Sequence, residues 1–397
     1  MTLFPTYQRN GIRPVKGEGA HIWDESGRKY LDFTSGLGVC NLGHGHPRIK
    51  EAVQTQLDRL WHISNLFEIP CQEEAAASLT KASGLGAVFF ANSGAEANEA
   101  AIKLARRFGH LSRKVTKPEI LTFHSSFHGR TLATLTATGQ EKVKTDCGPY
   151  PDGFRSLPFN DMTAVKQATG EQTVAILLEL IQGEGGIRPA DPDFVRQLRK
   201  FCTEENILLM VDEVQTGLGR TGTLFAFQQY GIIPDVVTLA KGLGNGIPAG
   251  AMLGRSDLVP FLGAGSHAST FGGNPVAMSA VVAVMKEMMD TTILEQVKQK
   301  GEYLEDQLHR QLAGCPLVKE IRGRGMMLGL ALTVSAADLV EKAKEKGLLV
   351  LVAGSQVLRL LPPLIVTPEQ IDKAVEVLTQ GLAELEEESD YERISGI

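Results

Sequence analysis

The sequence predicts an α/β protein: a large domain with a mostly parallel sheet covered by helices, followed by a smaller α+β domain. Two observations predict it. Through the middle of the chain, short continuous apolar runs alternate with stretches of helical length, the pattern of strands buried on both faces and joined by crossover helices. Beyond residue 288 that alternation gives way to two amphipathic helical stretches enclosing three apolar runs. The expected division is an N-terminal segment, 1–45, packing with the small domain, a large domain over 46–288, and the small domain over 289–397.

The strands of the large domain are expected at "AVFFA" (87–91), "EILTF" (119–123), "VAILLEL" (174–180), "ILLMV" (207–211) and "DVVTLA" (235–240). Each is five to seven residues rich in Val, Ile, Leu and Phe, and a helix-length segment separates it from the next. After "AVFFA", the residues Ala97, Ala100, Ala101, Leu104, Ala105 and Phe108 recur at helical spacing, and Ser93 with Glu96 reads as a capping box. In the C-terminal part, a helix near 292–313 carries Leu294, Val297, Leu304, Leu308 and Leu312 on one side. A second opens at "TPEQ" (367), another capping box with Pro in the first turn. Between them "MMLGLAL", "LLVLV" and "VLRLL" read as strands. The acidic end, "ELEEESDYERISGI", reads as a solvated, frayed tail.

Composition excludes several function classes. The 397 residues are 43% hydrophobic and 22% charged, with a formal net charge of -6 and no basic stripe, which argues against a nucleic-acid partner. Five scattered cysteines without a CxxC pair fit free thiols in a reducing compartment. The N-terminus has no signal-like apolar core, and the apolar stretch "PVAMSAVVAVMKEMM" meets Lys286 well short of a membrane span. A cytoplasmic protein without a membrane partner is expected.

In a parallel α/β sheet, ligands gather at the carboxyl ends of the strands. Gly94 and Ala95, after the first run, offer backbone N–H groups at a helix start, either as a phosphate seat or as a well-capped helix that binds nothing. "HSSFHGRT" follows the second run. His124 and His128 could be metal ligands, but no third ligand has recognisable spacing, and Phe127 and Arg130 are the more informative pair: a flat ring, and a fork shaped for a carboxylate. Taken singly, Phe127 reads as core and Arg130 as a surface ion pair. Glu184 lies in the glycine loop "IQGEGG", Asp212 and Glu213 end "ILLMV", and Lys241 ends "DVVTLA". "GLGNGIPAG" is no dinucleotide fingerprint, and no Walker loop occurs in the chain. One lysine, one acid at a neighbouring strand end and a phosphate seat are what a pyridoxal phosphate enzyme needs: a covalent anchor, a partner for the pyridine nitrogen, and N–H groups for the phosphate.

Six motifs, "NSGAEANEAAIKLAR", "FHGRT", "QGEGG", "DEVQTGLGRTG", "TLAKGLGNGIPAG" and "STFGGNP", occur in that order, and the chain from "GEGAHIWDESGRKYLDF" to "LRLLPPL" resembles the class III aminotransferases, fold type I of the pyridoxal phosphate enzymes. The resemblance implies pyridoxal 5'-phosphate as cofactor and no metal. Lys241 is implied as its covalent anchor and as the group that moves the proton, and Asp212 as partner of the pyridine nitrogen. Gln215 would lie near the phenolic oxygen and Phe127 on a ring face, with Ser93, Gly94 and Ala95 at the phosphate. Ser269 and Thr270 are implied to reach the site from a second subunit, Thr270 at the phosphate, so a homodimer with shared active sites is expected.

For substrates, the resemblance assigns Arg130 to the carboxylate of N-acetylornithine and Arg359 to the α-carboxylate of glutamate or 2-oxoglutarate, with Glu184 covering Arg359 in the other half-reaction. The implied reaction is ping-pong transfer of the terminal amino group of N-acetylornithine to 2-oxoglutarate, a step of arginine biosynthesis. Some positions depart from the pattern. Leu180 stands where Pro is common, Ala268 where Gly is, and Asn41 is placed as in 4-aminobutyrate enzymes; Leu37 speaks against free ornithine. The alternatives are a sister enzyme for 4-aminobutyrate, succinylornithine, ornithine or an acetylated lysine, a catalytically silent homologue, and a metalloenzyme on His124, His128 and the Asp212–Glu213 pair.

Overall fold

The computed structural model describes residues 2–395, with side chains through residue 388. Its centre is a seven-stranded sheet whose strands, numbered in chain order, are β1 (Ala87–Ala91), β2 (Glu119–Phe123), β3 (Phe154–Leu157), β4 (Thr173–Glu179), β5 (Leu208–Asp212), β6 (Val236–Leu239) and β7 (Gly250–Gly254). The spatial order is β1-β7-β6-β5-β4-β2-β3. All neighbouring pairs are parallel except those made by β7, which runs antiparallel to both β6 and β1. Every residue of β4 and β5 is buried, which is why both read as unbroken apolar runs rather than alternating ones.

All five expected strands form. Two others were not legible. "FRSL" at β3 is a half-exposed edge strand, and β7, "GAMLG", is framed by glycines that weaken a strand pattern. The first of those glycines has a spatial reason: a Cβ on Gly250 would sit 2.3 Å from the Ser93 carbonyl oxygen, so β7 can lie against the start of the helix that follows β1 only without a side chain there.

The C-terminal part forms a second, four-stranded sheet, in the order Val318–Arg324, Met327–Leu332, Val357–Leu360, Leu351–Val352, antiparallel throughout. The Val318–Arg324 strand escapes a sequence reading because its residues, "VKEIRGR", are mostly polar and partly exposed. Helices Ile293–Gln311, Ala336–Glu345 and Pro368–Ser395 accompany this sheet. The Thr367 cap is reciprocal: Gln370 N–H donates to Thr367 Oγ1 at 3.3 Å and Thr367 N–H to Gln370 Oε1 at 3.0 Å. The end of the chain departs from the frayed tail expected. The last helix continues to Ser395, and its Glu384 and Glu388 pair with Lys342 and Lys346; Gly396 and Ile397 lie outside the described residues.

A third sheet joins the N-terminal strands Pro14–Glu18, His21–Asp24 and Lys29–Asp32 to Leu348–Leu349, so the start of the chain is hydrogen-bonded to its C-terminal part. The apolar helix Pro275–Asp290 is buried along most of its length, and among the described residues no helix is long and apolar enough to cross a membrane.

Candidate active site

Five strands end at one cavity of about 450 Å³. β1 delivers Asn92, Ser93, Gly94 and Ala95; the loop after β2 delivers Phe127 to Arg130; β4 brings Glu179 and, past it, Glu184; β5 brings Asp212; β6 brings Lys241. Nine of the expected site residues therefore meet: Ser93, Gly94, Ala95, Phe127, Arg130, Glu184, Asp212, Gln215 and Lys241. Arg359 lies behind them, buried, donating to Glu184 Oε1 at 2.5 Å and to Gln215 Oε1 at 3.4 Å. Ser269 and Thr270 do not line the cavity. Thr270 is exposed, and Ser269 Oγ accepts from Asn92 Nδ2 at 3.4 Å. They share a face with exposed Trp61, Leu66, Phe67 and Phe271, because Asn65 donates to the carbonyls of Ser269 and Gly272.

The adjacent acids Asp212 and Glu213 point to opposite sides, as successive residues at a strand end do. Glu213 turns into the core, where it accepts from the N–H groups of Ala226 and Phe227 at 2.8 and 2.7 Å; burial pushes its carboxyl up to about 7. Asp212 faces the cavity and is held from three directions: Oδ2 accepts from Asn98 Nδ2 and lies against His128 Nδ1, both at 2.8 Å, and Oδ1 accepts from Val214 N–H at 3.0 Å. His128 is thus a neighbour of the acid, whereas His124 lies against Ser156 Oγ at 2.9 Å. The two histidines do not converge, and among the described residues no group of three or more side chains could hold a metal ion.

Glu179 registers beside Asp212 on the adjoining strand. It accepts from Phe127 N–H at 2.9 Å and Gly183 N–H at 3.3 Å, so one carboxylate ties the aromatic loop to the glycine loop. Burial raises it to about 7, with the His128 charge opposing and the Asp212 charge assisting. Lys241 has φ +47°, a left-handed conformation that costs a non-glycine residue about 1–3 kcal/mol. Burial first, then the Arg359 charge, lowers its ammonium to about 8, against the acids Glu184, Asp212 and Glu179. A neutral amine, the nucleophilic form, is accessible near pH 8.

These residues suit pyridoxal phosphate. The helix Gly94–Leu111 opens at the cavity, and among the described hydrogen bonds neither Gly94 nor Ala95 N–H has an acceptor. A Cβ on Gly94 would lie 2.8 Å from a Val214 methyl, so only a bare backbone leaves that cradle open. The Ser93 cap differs in detail from the expected box. Ser93 Oγ accepts Glu96 N–H at 3.2 Å, but the Glu96 carboxylate returns to Asn92 N–H rather than to Ser93 N–H. The acid for a pyridine nitrogen, the amine for an aldehyde and the N–H groups for a phosphate all face one cavity.

Asn98, His128, Glu179 and Val214 were missed as site residues. Asn98 lies at helical spacing one residue after Ala97, and nothing local marks it. The departures at Asn41 and Leu180 prove to be packing. Asn41 is buried away from the cavity, where it accepts from Arg220 Nη2 at 2.6 Å, and Leu180 is buried in the core.

The family model for aminotransferase class-III matches residues 5–382. The chain is 54% identical over 380 residues to the acetylornithine aminotransferase of Halalkalibacterium halodurans, covering 96% of this chain and 97% of that one. Among solved structures it is similar to N-acetylornithine aminotransferase from Stenotrophomonas maltophilia, with TM-score 0.83, 36% identity and coverage of 95% and 97%. It is also similar to ornithine aminotransferase from Toxoplasma gondii, a structure with partial occupancy of PLP, with TM-score 0.93, 32% identity and coverage of 98% and 93%.

Proposed function

The chain belongs to the class-III aminotransferases, with pyridoxal phosphate as its cofactor, and we propose that it transfers the terminal amino group of N-acetylornithine to 2-oxoglutarate, giving N-acetylglutamate 5-semialdehyde and glutamate, in the cytoplasm and as part of arginine biosynthesis. The observation that carries this reading is the Glu184–Arg359 pair at 2.5 Å beside Lys241 and Arg130.

When bound, the cofactor supplies an aldehyde that takes up the amino group and a ring that draws electrons from the reacting carbon. The chain's residues do the rest. Lys241, with its ammonium lowered to about 8, would hold the cofactor covalently and, when released, carry the proton at Nζ. Asp212, kept in place by Asn98, His128 and Val214, would accept from the pyridine nitrogen and keep it protonated. Phe127 would pack on the ring, Gln215 would serve the phenolic oxygen, and Ser93, Gly94 and Ala95 would hold the phosphate, with Thr270 of a second copy completing that seat. The exposed apolar side chains flanking Ser269 and Thr270 support a homodimer. Arg130, its guanidinium 5.5 Å from the Phe127 ring, takes the carboxylate of N-acetylornithine. Glu184 neutralises Arg359 while that substrate is bound and leaves it when an α-carboxylate must be held.

The test is spectroscopic, on the two half-reactions separately. The cofactor band of the holoenzyme should bleach with N-acetylornithine and only weakly with ornithine or 4-aminobutyrate; a better response to either would move the enzyme to that substrate. Arg359→Ala should weaken the 2-oxoglutarate half-reaction selectively, and equal damage to both halves would overturn the switch.

A further inference from the structure

Glu184 lines two cavities. One is the site above. The other is a neighbouring recess of about 490 Å³, walled by Lys142, Arg188, Lys319, Arg322 and the turn around Ser355. The backbone between them is pinned. A Cβ on Gly183 would lie 2.3 Å from Gln215 Oε1, and one on Gly185 2.6 Å from the Ser125 carbonyl oxygen. The Gly186 carbonyl accepts two hydrogen bonds from Arg322, at 2.9 and 2.7 Å. Among the described residues the Glu184 side chain, 33% exposed, is held only by its bond to Arg359. Rotation of that side chain about its own bonds would carry the carboxylate between the two cavities it lines.

We propose that on leaving Arg359 the Glu184 carboxylate turns into this second recess and pairs with Lys142, which makes Lys142 a specificity-determining positioning residue for substrates whose α-carboxylate needs Arg359. The inference rests on the Glu184–Arg359 switch proposed above. A carboxylate that gives up an arginine needs another counter-charge, since an uncompensated charge in a partly buried site is costly. Among the described residues Lys142, Arg188 and Lys319 form no ion pair, while Arg322 is committed to Gly186 and to Glu320 at 2.7 Å. The recess's other acid, Glu141, is already paired with Lys144 at 3.0 Å. The recess thus holds spare positive charge and one carboxylate able to enter it. Lys142 is singled out because its turn follows Gln140, whose Nε2 donates at 3.4 Å to the Ser125 carbonyl against which Gly185 packs, and because its charge acts on Glu184. Burial raises that carboxyl, but the Arg359 charge and hydrogen bond, then Lys241 and Lys142, outweigh it and hold it below its usual range. Lys142 sits on the short turn Glu141–Val143, exposed and without a hydrogen-bond partner among the described residues, so it is free to receive the carboxylate.

The experiment is equilibrium titration of the holoenzyme with glutarate, a dicarboxylate that cannot react, in Lys142→Met, Lys142→Arg, Glu184→Gln and the Lys142→Met/Glu184→Gln double variant. Glutarate should bind roughly three- to fivefold more weakly to Lys142→Met, the worth of one partly exposed ion pair, and the arginine variant should restore it. N-acetylornithine binding should not follow that loss. Glu184→Gln frees Arg359 permanently, so it should bind glutarate more tightly than the parent, and adding Lys142→Met to it should change nothing more. Two results would overturn the role of Lys142: unchanged glutarate affinity in Lys142→Met, or the same loss on the Glu184→Gln background, which would mean that Lys142 touches the ligand directly. If Glu184→Gln itself fails to tighten glutarate, the switch beneath the inference falls instead.

Discussion

Replacing Asn98 by Ala should destabilise the protein and loosen its hold on the cofactor together, although Asn98 carries no charge. The side chain is 1% exposed and satisfies three groups: it donates to Asp212 Oδ2 and to the His128 carbonyl, both at 2.8 Å, and accepts from Thr238 Oγ1 at 2.7 Å. The bond to the carboxylate is worth about 1.5–3 kcal/mol, and each neutral partner left without a bond costs about 1 kcal/mol more, giving a loss of about 3–5 kcal/mol. Urea unfolding of the cofactor-free protein measures this loss without a ligand's contribution. Asp212 then keeps only the His128 and Val214 contacts, so the holoenzyme should release cofactor about tenfold more readily, equivalent to ~1.4 kcal/mol. Asn98→Asp should be worse, because it sets a second carboxylate against the first while keeping the Thr238 bond. A stability loss below about 1 kcal/mol in Asn98→Ala, with cofactor affinity unchanged, would refute the claim that Asn98 positions Asp212.

Three further outcomes follow from the same geometry. Gly94→Ala should weaken cofactor binding by about tenfold, because its Cβ meets the Val214 methyls at 2.8 and 2.9 Å, and Gly94→Ala/Val214→Ala should recover most of that loss in a cofactor titration. Lys241 binds its proton less tightly when folded, about 8 against 10.5, so the unfolded chain holds more protons between those values. The cofactor-free protein should therefore gain stability as pH rises from about 8 to 10.5, a gain that Lys241→Met removes when urea midpoints are compared across that range. Glu213 has the opposite sign. Its folded carboxyl is raised from 4.5 to about 7, so its contribution is present below 4.5 and lost as pH rises through about 7, and Glu213→Gln should flatten that slope while costing stability at every pH through one backbone N–H left without its acceptor.

The large domain's strands were readable in advance because burial on both faces leaves a local mark: a strand with no solvent side is apolar without interruption, as β4 and β5 are. Strands that meet solvent or close neighbours leave weaker marks. β3 lies at the sheet edge, Val318–Arg324 is mostly polar and only partly buried, and β7 exchanges side-chain signal for a close approach of Gly250 to Ser93. The candidate site divides along the same line. Lys241, Asp212, Gly94 and Glu184 could be found because each directly follows a recognisable strand. His128 was visible, and metal ligation was weighed for it and set aside, but a histidine four residues from another gives no sign that one will turn to an acid 84 positions away.

By itself the sequence determined the class of fold, which strand ends carry the reactive groups, and, through six ordered motifs, the family. Those are properties of short segments, set by period, burial and turn chemistry that neighbouring residues impose on one another. Only the tertiary structure decided which groups touch. Asn98 reaches Asp212 across 114 residues, Glu184 meets Arg359 across 175, and Arg220 is held by Asn41 across 179. No local preference encodes such pairs. They exist because the packed sheets bring distant loops within hydrogen-bonding distance, where a buried polar group must find whatever partner the fold supplies.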